Sequence, residues 1–294
     1  MPSIVDDYND HSLLKLIAIT YWIGFFSPIS HRSLKQKYNY DVIYVDTMAG
    51  SGVTKTKRAA DYLCGSCPSA FLRALESDFP FDKIIGVEID SEKAVALKKR
   101  LNSLNPEQSF RIFDKDISEV SEDIVKEIGN RAISYVVIDP QGFKGMTWSA
   151  IGPLLKCKGD AMVTWFENDA WRIKEAALSD SRSSEGNAQR LTELLGTEKW
   201  RTAPNPSALT DLFVQRVLNE TKRGGAAERI EIEDKSGKHY KMILFVGKSE
   251  KASYLAEEWK KYMDKRLGSD KGRNIGRLLD RKAGRIADLR DFLK

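Results

Sequence analysis

The sequence predicts an α/β fold, a mostly parallel Rossmann-like sheet ending in an antiparallel hairpin and flanked by helices, with helical additions at both ends. Three observations predict it. Five short apolar runs alternate with helical patterns between residues 42 and 166, as in a parallel sheet covered on both faces. The first, second and third of these runs are each followed closely by an acid. Two further strand patterns, Arg229 to Glu233 and Tyr240 to Val246, flank Asp234-Lys235-Ser236-Gly237, where Gly237 can take positive φ and close a hairpin.

The elements follow in order. Leu13 to Phe26 is the most apolar stretch, but Lys15 and Thr20 interrupt it and acids precede it, so it reads as a buried helix rather than a signal peptide or membrane span. Val42 to Asp46 is the first strand, followed by a turn-rich basic segment from Gly50 to about Cys67. Pro68 suits the first turn of a helix carrying Phe71, Leu72 and Leu75. Ile84 to Ile89 is a second strand, and Asp90 or Ser91 caps a helix running to about Leu104. Phe110 to Phe113, Ile133 to Ile138 and Ala161 to Phe166 are further strands, separated by helices over Ser118 to Ile128 and Trp148 to Leu155. The pattern breaks down between Glu167 and Pro206, where Ser179 to Asn187 reads as a loop or part of an insertion. Leu209, Leu212, Phe213 and Val217 mark a helix face, and helices over Ala252 to Leu267 and about Ile275 to Leu293 close the chain. The domain reading is an N-terminal helical cap (1–40), a sheet domain (41–250, with an insertion at about 167–205) and a basic C-terminal extension (251–294).

Composition narrows the function classes. Three cysteines in 294 residues make no disulfide framework, so the expected setting is a reducing cytoplasm. The net charge of +5 is uneven: residues 260–294 hold twelve Lys/Arg against five Asp/Glu, a net of +7, which leaves −2 for the rest. A near-neutral body with a basic tail suits a polyanionic partner, although a solvated helix with mixed charges has the same composition.

The densest chemical signal is Tyr44-Val45-Asp46-Thr47-Met48-Ala49-Gly50-Ser51-Gly52, a strand ending in an acid and followed by a Gly-x-Gly turn. Gly50 and Gly52 would let backbone approach a cofactor, and Asp46 would accept from the cationic amine of a methionine moiety. Glu88, at the end of the second strand, could take both hydroxyls of a ribose. Asp116, after the third, is placed for an adenine amino group. Met48, Ile89 and Ile117 stand beside these acids and, with Asp139 after the fourth strand, complete the expected contact set. A nicotinamide enzyme would put its acid about 20 residues after a turn with a third glycine; here Gly52 and Glu88 are 36 apart and that glycine is missing. S-adenosylmethionine (SAM) is therefore the expected cofactor, with no metal, and five parallel strands followed by a hairpin is the element order of class I methyltransferases.

The fourth strand ends in Asp139-Pro140-Gln141-Gly142-Phe143. A carboxylate and the carbonyl fixed by Pro140 could hold an exocyclic NH2, and Phe143 could stack on a base. Asp-Pro-x-Gly would equally make a tight turn. Cys64 and Cys67 form a C-x-x-C at a helix start, read as structural, since zinc would need two more ligands. Lys55, Lys57 and Arg58 follow the glycine turn. Arg273, Arg277, Arg281 and Lys282 recur at helical steps in the tail, and with that trio they are the expected phosphate contacts. Lys222, Arg223, Lys260, Lys261 and Arg266 could extend the basic surface.

The Asp46–Gly52 loop, the Asp139–Phe143 stretch and the Lys15…Tyr21 helix together resemble the three-Cys-motif partner (TcmP) family over roughly residues 10–260. Met48 and Gln141 stand where the family pattern has aromatic residues. The Asp-Pro-x-Gly element is also similar to that of tRNA guanine-N2 methyltransferases. The resemblance implies a methyltransferase-like fold and a radical-SAM-type three-Cys partner protein. The expected activity is SAM-dependent methylation of an exocyclic amine of a nucleic acid base, RNA ahead of DNA. The alternatives are a small-molecule or peptide methyltransferase, or a catalytically silent SAM-fold subunit; no membrane association is expected.

Overall fold

The computed structural model describes residues 4–8, 10–56, 62–76, 78–105, 107–140, 142–143, 146–179, 183–223, 226–233 and 239–267. In chain order the strands are β1 (Asp6–Tyr8), β2 (Asp41–Asp46), β3 (Val53–Thr56), β4 (Tyr62–Cys64), β5 (Lys83–Val87), β6 (Phe110–Phe113), β7 (Ala132–Ile138), β8 (Gly159–Trp165), β9 (Ala226–Glu233) and β10 (His239–Val246). The helices are α1 (Asp10–Ser30), α2 (Gln36–Tyr38), α3 (Ser66–Glu76), α4 (Ser91–Leu104), α5 (Ile117–Ile128), α6 (Trp148–Leu155), α7 (Glu167–Ala177), α8 (Ser184–Leu195), α9 (Pro206–Glu220) and α10 (Glu250–Leu267).

Seven strands form the main sheet in the order β6-β5-β2-β7-β8-β10-β9. The first five are parallel, and β10 runs antiparallel to both β8 and β9. This is the Rossmann-like methyltransferase fold. The chain passes from β2 outward to β5 and β6, then crosses back to β7, so the strand order reverses between β2 and β7. Open α/β sheets bind ligands at such a switch point, outside the carboxyl ends of the strands.

Alternation along the strands builds two cores. Val42 and Tyr44 of β2, with Tyr135 and Val137 of β7, face Leu14, Ile19, Trp22 and Phe26 of α1, Leu97 of α4 and Trp259 of α10. Ile43, Val45, Val136 and Ile138 face the layer of α5 to α9, including Ile124, Leu154, Leu191 and Phe213. The stretch expected as an N-terminal cap thus supplies α1 to one of the two helical layers, beside α3, α4 and α10. Helix α1 buries Leu14, Ala18, Ile19, Trp22, Ile23 and Phe26, as expected of a helix packed among its neighbours.

Three local expectations change. The turn-rich segment after Gly50 contains β3 and β4, which form a small three-stranded sheet with β1. The stretch from 167 to 205 is largely helical: Leu191, Leu194 and Leu195 are buried on α8, and the polar run around residue 184 is that helix's exposed start. Arg223 leaves the expected basic surface altogether. It is fully buried, and its guanidinium donates to the carbonyls of Leu154, Leu155 and Cys157 at 2.8–3.0 Å, closing the C-terminal end of α6. The hairpin turn at 234–238 and the final basic helix lie outside the described residues.

Candidate functional site

The parallel register brings the predicted acids to one edge. Asp46 ends β2 opposite Gly86 of β5 and Val137 of β7. Glu88 lies one residue past β5, Asp116 three past β6, and Asp139 one past β7. Four neighbouring strands therefore each present a carboxylate at the carboxyl edge, with Asp46 and Asp139 flanking the switch point. Burial raises the pKa of Asp46, and the Asp139 charge adds to that rise.

Asp46 is 1% exposed. Its Oδ1 accepts from the Met48 amide at 3.0 Å, and its Oδ2 from the Tyr44 hydroxyl at 3.4 Å and the Cys67 thiol at 3.9 Å. No cation pairs with it among the described residues. Burial pushes its pKa up to about 6, against the pull of hydrogen bonds from Ser66 and Met48. Next to it the Thr47 hydroxyl is buried without a hydrogen-bond partner among the described residues. A buried carboxylate without a cation, beside an orphaned hydroxyl, is suited to a small cationic ligand that donates hydrogen bonds.

The nucleoside-side residues are arranged differently. Glu88 is half-buried and its Oε1 accepts from the Asp90 amide at 3.0 Å. Ile89 is 65% exposed, an apolar side chain presented at the sheet edge. Asp90 caps α4, accepting from the Glu92 and Lys93 amides. Asp116 caps α5, its Oδ1 accepting from the Ser118 amide and hydroxyl. The Ile117 side chain is in the core, so only its backbone could reach a ligand. Met48 is partly buried against the same core.

The glycines serve packing as much as ligand access. Gly50 has φ +62°, and a Cβ there would lie 2.6 Å from Asp6 Oδ2. Gly52 has φ +82°, and its Cβ would meet Leu97 at 2.7 Å. The Asp6 carboxylate accepts from the Ser51 amide at 2.6 Å and pairs with Lys93 at 2.8 Å, so the N-terminal segment is tied to the glycine loop. Nothing in the local sequence around Asp6 signals this role.

On the acceptor side, Lys15 of α1 donates to Asp139 Oδ1 at 2.7 Å. Its ammonium lies 4.9 Å from the Tyr240 ring centre and 5.7 Å from that of Phe166. Pro140 is buried, and its carbonyl accepts from the Gly142 amide at 3.0 Å. Phe143 points away from this group. Its ring is 3% exposed, meets Trp165 edge-on at 5.4 Å and lies under the Arg190 guanidinium. In this conformation it has no face to offer a base. A partly exposed aromatic by Lys15 is Phe166, whose position just after a parallel strand was the signal that could have found it.

Lys55 is exposed on β3, whereas Lys57, Arg58, Arg273, Arg277, Arg281 and Lys282 lie outside the described residues. Lys260 and Lys261 are surface residues near Glu228 and Glu258. Cys67 is buried and its thiol pKa is pushed well up by that burial, which opposes the thiolate a redox role needs. Among the described residues no helix is long and apolar enough to cross a membrane.

No protein-family model matches the sequence, and no curated protein matches it either. Among solved structures, a Legionella pneumophila protein assigned to the family model DUF519 is similar at 12% identity and a TM-score of 0.49, over 87% of this chain and 93% of that one. Trm1 from Pyrococcus horikoshii, solved with S-adenosyl-L-methionine, is similar at 10% identity and a TM-score of 0.45, over 85% of this chain. The alignment spans 58% of the Trm1 chain. Neither score reaches 0.5, and the fold assignment rests on the strand order itself.

Proposed function

We propose that the chain is a SAM-dependent methyltransferase acting on an exocyclic amine of a nucleic acid base, RNA ahead of DNA. The observation that carries the reading is the row of four carboxylates at the carboxyl ends of β6, β5, β2 and β7, with Asp46 buried and without a cation among the described residues.

SAM fits those residues. Asp46 and the orphaned Thr47 hydroxyl would take its ammonium group, Glu88 its ribose hydroxyls, Ile89 one face of its adenine, and Asp116 the adenine amino group. Bound there, the cofactor supplies an electrophilic methyl on a sulfonium. Asp139 and the Pro140 carbonyl hold the acceptor NH2 so that its nitrogen lone pair faces the methyl. Most of the rate gain then comes from orientation. The Asp139 carboxylate would stabilise the positive charge that methylation places on the acceptor nitrogen, and would pass the released proton to solvent.

The +7 charge of residues 260–294 supports a polyanionic substrate. The motif resemblance to the TcmP family adds a radical-SAM-type protein as a candidate partner, which co-purification from cells carrying both proteins would test. Titration calorimetry tests the cofactor assignment. Glu88→Ala should weaken SAM binding by about 1.5–3 kcal/mol, the worth of hydrogen bonds to a charged group. Unchanged affinity would remove Glu88 from the cofactor site.

A further inference from the structure

Lys15 is joined to the site by tertiary packing alone. Its neighbours Leu14, Leu16, Ala18 and Ile19 are buried, which fixes its backbone, and its own side chain is only 12% exposed. An ammonium has three donors. One goes to Asp139 Oδ1, its one hydrogen-bond acceptor among the described residues. Tyr240 and Phe166 present ring faces, which attract the charge but accept no conventional hydrogen bond. Two donors of a nearly buried cation therefore remain for a ligand. Beside them, Asp139 Oδ2 has no partner among the described residues, so a donor and an acceptor stand side by side.

Position decides which ligand they meet. Phe166 and Tyr240 belong to the β8–β10 side of the sheet, across β7 from β2 and away from Glu88 and Asp116, which follow β5 and β6. That is the acceptor side. We propose that Lys15 is a substrate-recognition residue: it donates to the ring nitrogen next to the exocyclic amine while Asp139 accepts from the amine. The pair thus reads the amidine edge of a nucleobase. Adenine (N6 and N1), cytosine (N4 and N3) and guanine (N2 and N3) each present this edge, whereas uracil does not. The inference rests on the base-methylation reading and adds to it the atom that the base must carry.

The test uses the full chain, radiolabelled SAM and single-stranded oligoribonucleotides containing all four bases. Once the labelled base is known, its 1-deazaadenine, 3-deazacytosine or 3-deazaguanine counterpart removes the ring nitrogen alone. The wild-type protein should lose about 10- to 100-fold in kcat/KM on the deaza oligonucleotide. Lys15→Met should lose a similar factor on the natural one, chiefly through KM, with SAM affinity within about two-fold. The deaza change should then cost Lys15→Met nothing further. A wild-type protein indifferent to the ring nitrogen overturns the proposal, and that arm does not depend on the variant folding. A tenfold loss of SAM affinity in Lys15→Met also overturns it, by assigning Lys15 to the cofactor. If the wild-type protein methylates no oligonucleotide, the base-methylation reading fails, and the recognition role falls with it.

Discussion

The two halves of the crevice handle their carboxylates in different ways. On the β5–β6 side, Glu88 and Asp116 accept from backbone amides of their own turns, and Ile89 stands in solvent. That side is locally built and open. On the β2–β7 side, Asp46 is buried without a cation among the described residues, and Asp139 is held by a lysine 124 residues away in sequence. That side is assembled by tertiary contacts and carries unmet electrostatic demand. Local capping can place a ligand group cheaply, but only packing can bury a charge where chemistry uses it.

The largest expected effect comes from breaking the packed half at its centre. Asp139→Ala should lower kcat by about 10²- to 10³-fold, as removal of one charge-stabilising group does elsewhere, and leave SAM affinity within a few-fold. Single-turnover methyl transfer measures it. Full turnover by the variant would make Asp-Pro-x-Gly a turn and nothing more.

A pH series sharpens the contrast between the two sides. Asp46 titrates near 6 in the fold against 3.8 without burial. Between those values the folded protein keeps a proton that the unfolded chain releases. This group's contribution to stability therefore falls as pH rises, by roughly 3 kcal/mol in all. Asp46→Asn should lack that slope, so its stability relative to wild type should grow from pH 4 to pH 7 in denaturant titrations. Binding runs the other way, because the amine of SAM needs the ionised carboxylate. Wild-type SAM affinity should weaken by up to about tenfold per pH unit below about 6. A flat profile between pH 5 and pH 7 would contradict the assignment.

A smaller effect tests the tie between the N-terminal segment and the glycine loop. Gly50→Ala places a Cβ 2.6 Å from Asp6 Oδ2 at φ +62°. It should cost about 1–3 kcal/mol in urea unfolding. With Asp6→Ala also present, the added cost should shrink toward the backbone strain alone. Strict additivity of the two changes would mean that Asp6 does not press on the loop.

Much of the frame was legible in the sequence. The seven main strands and the helices Ser91–Leu104 and Trp148–Leu155 follow from apolar runs, caps and turn residues, all short-range signals. The row of acids could be read because each follows its own strand, and a parallel sheet aligns strand ends automatically. Phe143 shows the limit. Its neighbours suggested a base-facing ring, but which way it points depends on Trp165 and Arg190, which lie 22 and 47 residues away. Arg223 looked like surface charge because composition cannot show that three carbonyls at the C-terminal end of α6 converge on one guanidinium.

The sequence alone therefore determined the α/β order, the hairpin, the acid after each of the first four parallel strands and the basic tail, since each is written within a few residues of chain. Only the tertiary structure decided that Lys15 neutralises Asp139, that Asp6 braces the glycine loop, that Asp46 is buried and that Phe143 belongs to the core. These depend on which distant side chains share a small volume. A buried charge or ring takes its chemistry from its neighbours in space rather than from its neighbours in sequence.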